Sequence, residues 1–145
     1  MPTRTPTTPL PEHVRRFLEE PRYAAIATVD EDGAPRQAVI WFLLDGEEIV
    51  INSLDGRRWP TNLRRDPRIS IAITDAKRQS WVGLNGTVDV IDDQAQAQAH
   101  IAAMARRYNE DDPAEAERLI RVRFEKQRRV SFRVAITGFH DHIED

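Results

Sequence analysis

The chain contains no cysteine, which excludes disulfides, thiolate metal sites and cysteine nucleophiles. It has no basic excess either. Lys and Arg number 21 against 24 Asp and Glu, a formal net charge of −3. That balance gives no expectation of nucleic-acid binding, although it leaves room for a local basic pocket. No apolar run approaches the roughly 20 residues of a membrane span. The opening stretch MPTRTPTTPLP lacks the apolar segment of a secretion signal, so the expected location is cytoplasmic. Glycine-rich phosphate loops of the P-loop or dinucleotide type are missing as well.

What is present is an ordinary globular composition. Of 145 residues, 40% are hydrophobic and 31% charged, enough for one core, expected as a single domain over residues 11–145. Segment 1–10, rich in Pro and Thr, is expected to stay mobile or to cross a neighbouring surface.

The apolar spacing predicts a short helix over 11–20, ended by Pro21. Strands follow over 23–29, 36–44 and 48–53. Asp32-Gly33 and Asp45-Gly46 supply the turns between them, so two consecutive hairpins form an antiparallel meander. No βαβ unit is needed. A short helix is expected between Arg57 and Asp66, with Pro60 in its first turn and Pro67 just beyond its end. A strand over 68–74 alternates Ile69, Ile71 and Ile73 with smaller or polar residues. The long strand 79–91 carries Gly83 and Gly86 as bulge or bend points. Helices are expected over 93–108 and 112–121, and a closing strand over 128–136. About six antiparallel strands with peripheral helices, in so short a chain, read as a mostly β protein closed into a barrel, which removes exposed strand edges.

Several side chains could carry function. Arg57, Arg58 and Asn62 fall where a strand has ended and a helix begins, a place where guanidinium groups and free N–H groups together bind phosphate; the alternative is a solvated basic turn. Asn52 and Ser53 end the preceding strand and could bond a ring or a sugar-phosphate tail, or serve as turn residues. Trp41 and Phe42 alternate along one strand, so one of them faces away from the interior, either covered by a ligand or partner or simply on the surface while the other joins the core. Trp59 could stack on a ring or cover the barrel. Arg64 and Arg65 read as a solvated helix face. His13 and His100 stand alone, while His140 and His142 would share a face in a strand and could bind a metal; a frayed, charged tail is the preferred reading.

Taken in order, these pieces resemble a known family. Ala25–Val29 with Asp32-Gly33 and Pro35, Val39–Phe42 with Asp45-Gly46, Ile49–Ser53, Asn62–Ser70 and Gly86–Val90 look like the pyridoxamine-phosphate-oxidase-like split barrels. They are most similar to the probable coenzyme F420 (deazaflavin)-dependent oxidoreductases of actinobacterial type. The resemblance implies an FMN-binding-type split β-barrel and a homodimer with cofactor sites at the subunit interface. It further implies a reductase that moves a hydride between reduced F420 and a conjugated small-molecule acceptor, with no catalytic side chain or metal assigned. Trp41, Asn52, Ser53, Arg57, Arg58, Trp59 and Asn62 are its expected cofactor-binding residues. Relatives often carry a lysine where this chain has Trp59, and Arg58 is placed to supply the missing charge. The alternatives are an FMN oxidoreductase of the same fold and a non-catalytic flavin-, haem- or ligand-storage barrel.

Overall fold

The computed structural model describes residues 6–75 and 77–144. Seven antiparallel strands form one sheet in the order β2-β1-β5-β6-β7-β4-β3. They are β1 (Ala24–Val29), β2 (Pro35–Ile40), β3 (Leu43–Asp45), β4 (Glu48–Leu54), β5 (Arg68–Asp75), β6 (Ser80–Ile91) and β7 (Arg129–His142). Four helices accompany them: α1 (Glu12–Glu19), α2 (Arg58–Arg65), α3 (Gln94–Tyr108) and α4 (Pro113–Val122). The sheet curls around a single core as a split β-barrel. No helix among the described residues is long and apolar enough to cross a membrane.

The strand count exceeds the expected six because the strand expected over 36–44 breaks. Trp41 and Phe42 pair with no strand, and β2 and β3 on either side of them lie at opposite edges of the sheet. The three-stranded meander is therefore opened: β2 pairs with β1, Ile40 opposite Ala24, while β3 pairs with β4, Leu43 opposite Val50. One bent segment of chain supplies both edges. The Phe42 side chain is fully buried in the core. Its backbone, which no ladder serves, is bonded by the end of α3: its N–H donates to the Tyr108 hydroxyl at 3.1 Å, and its carbonyl accepts from Arg107 Nη1 at 2.6 Å. Buried backbone polar groups require such partners.

The alternation of β5 holds as read, with Ile69, Ile71 and Ile73 inside. β4 is different, for its residues from Ile49 to Ser53 are all buried. Ile49 and Ile51 face the barrel core, and Val50 faces a second apolar cluster with Ile101 and Met104 of α3, Ile120 of α4 and Phe124. Both helices begin with an aspartate cap, Asp93 accepting from the Gln96 N–H and Asp112 from the Glu115 N–H, which satisfies orphan donors of the first turn.

β7 continues to His142, six residues beyond the expected end at 136. The frayed-tail reading of His140 and His142 is thereby corrected: His140 pairs opposite Gly83 and meets the Trp81 ring edge-on at 4.7 Å, and His142 pairs opposite Trp81. The polar HDH tail hides a strand that has long β6 as its template. Of the two expected bend points, the register shift falls at Asn85/Gly86. A Cβ at Gly86 would collide with the Ala135 carbonyl oxygen, so the close approach requires glycine. In segment 1–10, residues 1–5 lie outside the described residues. Thr8 bonds the Ile136 and Thr137 carbonyls, and Leu10 is buried.

The grip on Phe42 gives the first prediction. Tyr108→Phe deprives the Phe42 N–H of its acceptor and the Arg22 carbonyl of its donor. We expect a loss of about 1–3 kcal/mol in urea unfolding, with no change in the slope that would signal a different fold.

Candidate functional site

The break at Trp41–Phe42 and the outer helices enclose a cavity of about 250 Å³. The kink turns Trp41 outward from the barrel, where it stacks on Tyr108 at 5.1 Å and 12° and meets Phe124 edge-on at 6.4 Å. Ile101 and Met104 of α3, with Val39 and Ile40, complete an apolar part. The rest of the lining is polar, with Asn52, Ser53, Arg57, Arg123 and Arg129, and it adjoins the aromatic part, for the Arg129 guanidinium lies 5.1 Å from the centre of the Phe124 ring.

This polar part contains three guanidinium groups and no carboxylate. Arg129 is 6% exposed. Its Nε donates to Asn52 Oδ1 at 2.9 Å and its Nη1 to Gln127 Oε1 at 2.6 Å. Burial and then the charges of Arg57 and Arg123 bring its pKa down to about 10, a like-charge cluster in a partly dry site. Arg57 caps α2, which begins with no side-chain cap and no acidic residue in its first turn. Its first turn, in which Pro60 lacks an N–H, carries partial positive charge at that terminus.

Of the seven expected site residues, five meet here: Trp41, Asn52, Ser53, Arg57 and Trp59. Two of them act indirectly. Trp59 is buried against Phe132 at 5.8 Å and offers the cavity only part of its surface. Asn52 spends its amide on the protein, donating to the Ala97 carbonyl and Ser131 Oγ and accepting from Arg129. Arg58 and Asn62 lie elsewhere. Asn62 is buried and donates to Thr28 Oγ1 and to Asp30 Oδ1 at 2.8 Å, and Arg58 Nε is 3.3 Å from the same Asp30 carboxylate. Together with Arg65 they border a second depression, lined by polar and charged residues and Gly56. Arg57 and Arg58 separate because helix start and strand end point successive side chains to different sides of the loop.

The solvated-face reading of Arg64 and Arg65 holds, since both are exposed, and both also make bonds to the rest of the fold. Arg64 binds Asp92 at 2.6 Å and Asp55 at 3.1 Å, which raises its pKa, and Arg65 donates to the Val29 carbonyl and Asn62 Oδ1. Both tie α2 to the sheet. Sequence reasoning missed Arg123, Arg129 and Phe124. Their signal was weak: Arg129 reads as the charged first residue of a strand, and only its burial distinguishes it.

A family profile described as pyridoxamine 5'-phosphate oxidase matches residues 10–139. No curated protein matches the sequence. Solved structures do. An F420 reductase is 26% identical, with a TM-score of 0.71, covering 90% of this chain and 98% of its own. The conserved hypothetical protein Rv2991 of Mycobacterium tuberculosis is 20% identical, with a TM-score of 0.76, over 100% of this chain and 97% of its own. HutZ, the heme storage protein of Vibrio cholerae, is 19% identical, with a TM-score of 0.65, over 92% and 94%.

The carboxylates that anchor α2 predict the acid limit of the fold. The Asn62 amide, then Arg36, hold the Asp30 carboxyl below its ordinary value of 3.8, and Arg64 does the same to Asp92. Arg68 brings Asp66 to about 2. A depressed carboxylate stabilises the fold fully above its unfolded pKa and loses that contribution as pH falls through the folded value. Urea midpoints should therefore hold steady above about pH 5 and fall between about pH 4 and 2. Asp30→Asn should flatten part of that slope.

Proposed function

The chain belongs to the pyridoxamine 5'-phosphate oxidase family, and on that footing we propose that it is a homodimeric oxidoreductase of coenzyme F420, reducing a conjugated small-molecule acceptor. Proteins of this family bind flavins or related cofactors, and oxidoreductases are among them. The observation that carries the finer reading is the lining of the cavity, which sets the aromatic rings of Trp41 and Phe124 beside an acid-free group of cations, Arg57, Arg123 and Arg129. A flavin-like ring matches the first and a phosphate-bearing, multiply anionic tail the second. The residues fit such a group, because Arg129 is buried while its Nη2 has no protein acceptor among the described residues. The similarity to a solved F420 reductase points the same way.

When bound, the coenzyme supplies the hydride chemistry. This chain's part is to hold and shield. Arg57 and the N-terminus of α2 take a phosphate, Trp41 and Phe124 wall the ring, and Ile101 and Met104 keep water from it. No catalytic side chain is assigned, since solvent can protonate the product. Tyr23 and Val39, at the rim, are 63% and 70% exposed. A second copy covering them would complete the wall, as apolar rims at interfaces do. The reading includes a cytoplasmic location.

Calorimetric titration of the full chain with F420 and, separately, with FMN tests this. F420 should bind more tightly. Arg57→Ala should weaken it by about tenfold or more, the value of a charged hydrogen bond. Arg58→Ala, whose guanidinium is held at Asp30, should change it little. Tighter FMN binding transfers the protein to the flavin branch, and binding of neither overturns the cofactor assignment.

A further inference from the structure

We propose that Arg129 selects a ligand with several anionic groups over one with a single phosphate, and that the side-chain amides of Asn52 and Gln127 keep it unneutralised for that purpose. The inference rests on reading this cavity as the site of an anionic cofactor, and it assigns a specificity role that membership of the family does not.

Many arginines of the protein are matched with carboxylates, Arg36 with Asp30, Arg64 with Asp92, Arg106 with Glu117 and Arg118 with Glu115, whereas Arg65 and Arg107 bond neutral oxygens. Arg129 is more buried than the carboxylate-paired ones, only neutral oxygens and the Phe124 ring, 5.1 Å away, receive it, and the charges that act on it are the like charges of Arg57 and Arg123. A buried cation is normally paired. A carboxylate at either position would serve the guanidinium equally well as an acceptor and cancel its charge. An amide oxygen supports the guanidinium and leaves the charge in place.

The orientation of Asn52 is not arbitrary. Its Nδ2 lies 2.9 Å from the Ala97 carbonyl and 2.9 Å from Ser131 Oγ. A backbone carbonyl only accepts, so the NH₂ group must face it, and the oxygen must face Arg129. Ser131, fully buried, accepts from Asn52 and shares a 2.8 Å hydrogen bond with His100 Nδ1. The chain from His100 through Ser131 and Asn52 thus fixes the acceptor on Nε, and Gln127 fixes Nη1. Nη2 is left to the cavity, with no acceptor among the described residues.

The charge arrangement then discriminates by ligand valence. One phosphate at Arg57 and the α2 N-terminus leaves Arg129 still facing uncompensated positive charge. A second anionic group on the same ligand relieves that repulsion and gains a charge-assisted bond in a poorly hydrated site, where such bonds are strong.

Gln127→Glu is the decisive variant, because Gln127 is only half-buried and the change is isosteric. The full chain is titrated with tripolyphosphate and with orthophosphate, and in parallel with F420 and FMN. In Gln127→Glu, tripolyphosphate affinity should fall about tenfold or more, orthophosphate affinity much less, and the melting temperature should not fall, since the new carboxylate pairs with Arg129. Gln127→Ala, which adds no charge, should keep the tripolyphosphate preference even where it lowers the melting temperature. An unchanged preference in Gln127→Glu, or an equal loss in Gln127→Ala, overturns the inference while F420 binding by the native chain leaves the cofactor reading intact. The converse separates them as well: a native chain that binds neither F420 nor FMN, but whose tripolyphosphate preference disappears in Gln127→Glu, supports the selectivity and overturns the cofactor.

Discussion

The grip of α3 on the bent segment at Trp41–Phe42 is the constraint on which the other features depend. Arg107 donates to three backbone carbonyls, those of Leu18, Glu20 and Phe42, and lies over the Phe42 ring at 4.6 Å. Tyr108 joins the Phe42 N–H to the Arg22 carbonyl. One helix end therefore holds the bend of the sheet, the end of α1 and the entry to β1. Burial lowers the Arg107 pKa, and the three carbonyls offset that desolvation, since hydrogen bonds to a charged donor are among the stronger ones in proteins.

The bend determines where the two layers can meet. β2 and β3 leave it for opposite edges of the sheet, so the barrel is drawn round by a covalent link and not by a final ladder of hydrogen bonds. Phe42 turns into the core and Trp41 turns out, onto the ring of Tyr108. The cavity lies beside that bend because α3 must reach it while also covering β4, whose outward Val50 needs an apolar roof. The same roof places Ala97 above Asn52, and so links helix packing to the aim of Arg129.

Most of the secondary structure was legible because it follows local rules. The period-two isoleucines of β5, the Asp-Gly turns and the aspartate caps of α3 and α4 each announce themselves within a few residues. The bend did not, since a run of β-branched and aromatic residues reads as one continuous strand, and what breaks it comes from 65 and 66 residues further on. The end of β7 was hidden by its polar composition. At the site, the sequence grouped residues by proximity in the chain, which brought Arg57 and Arg58 together and kept Arg129 apart. Folding does the opposite: Arg58 and Asn62 go to Asp30, and Arg129 joins Arg57 across the β4–β7 pairing of Asn52 with Ser131.

Split barrels of this shape serve more than one chemistry, so the fold alone leaves the ligand open, and the decision falls to the cavity wall. A haem needs an axial ligand to iron, from histidine, cysteine, methionine or tyrosine. The described wall has no histidine or cysteine and offers Met104 and Tyr23, while His100 is engaged by Ser131 behind Asn52. A neutral aromatic ligand would make no use of the three guanidinium groups, of which Arg57 and Arg123 are exposed and Arg129 is buried. An anion bound there would offset the desolvation of the buried Arg129, as one does where buried donors are left open. The amides on Arg129 sharpen the point. In a chain with 24 acidic residues, most arginines have found a carboxylate, and the one arginine deepest in the cavity has been given two neutral acceptors instead.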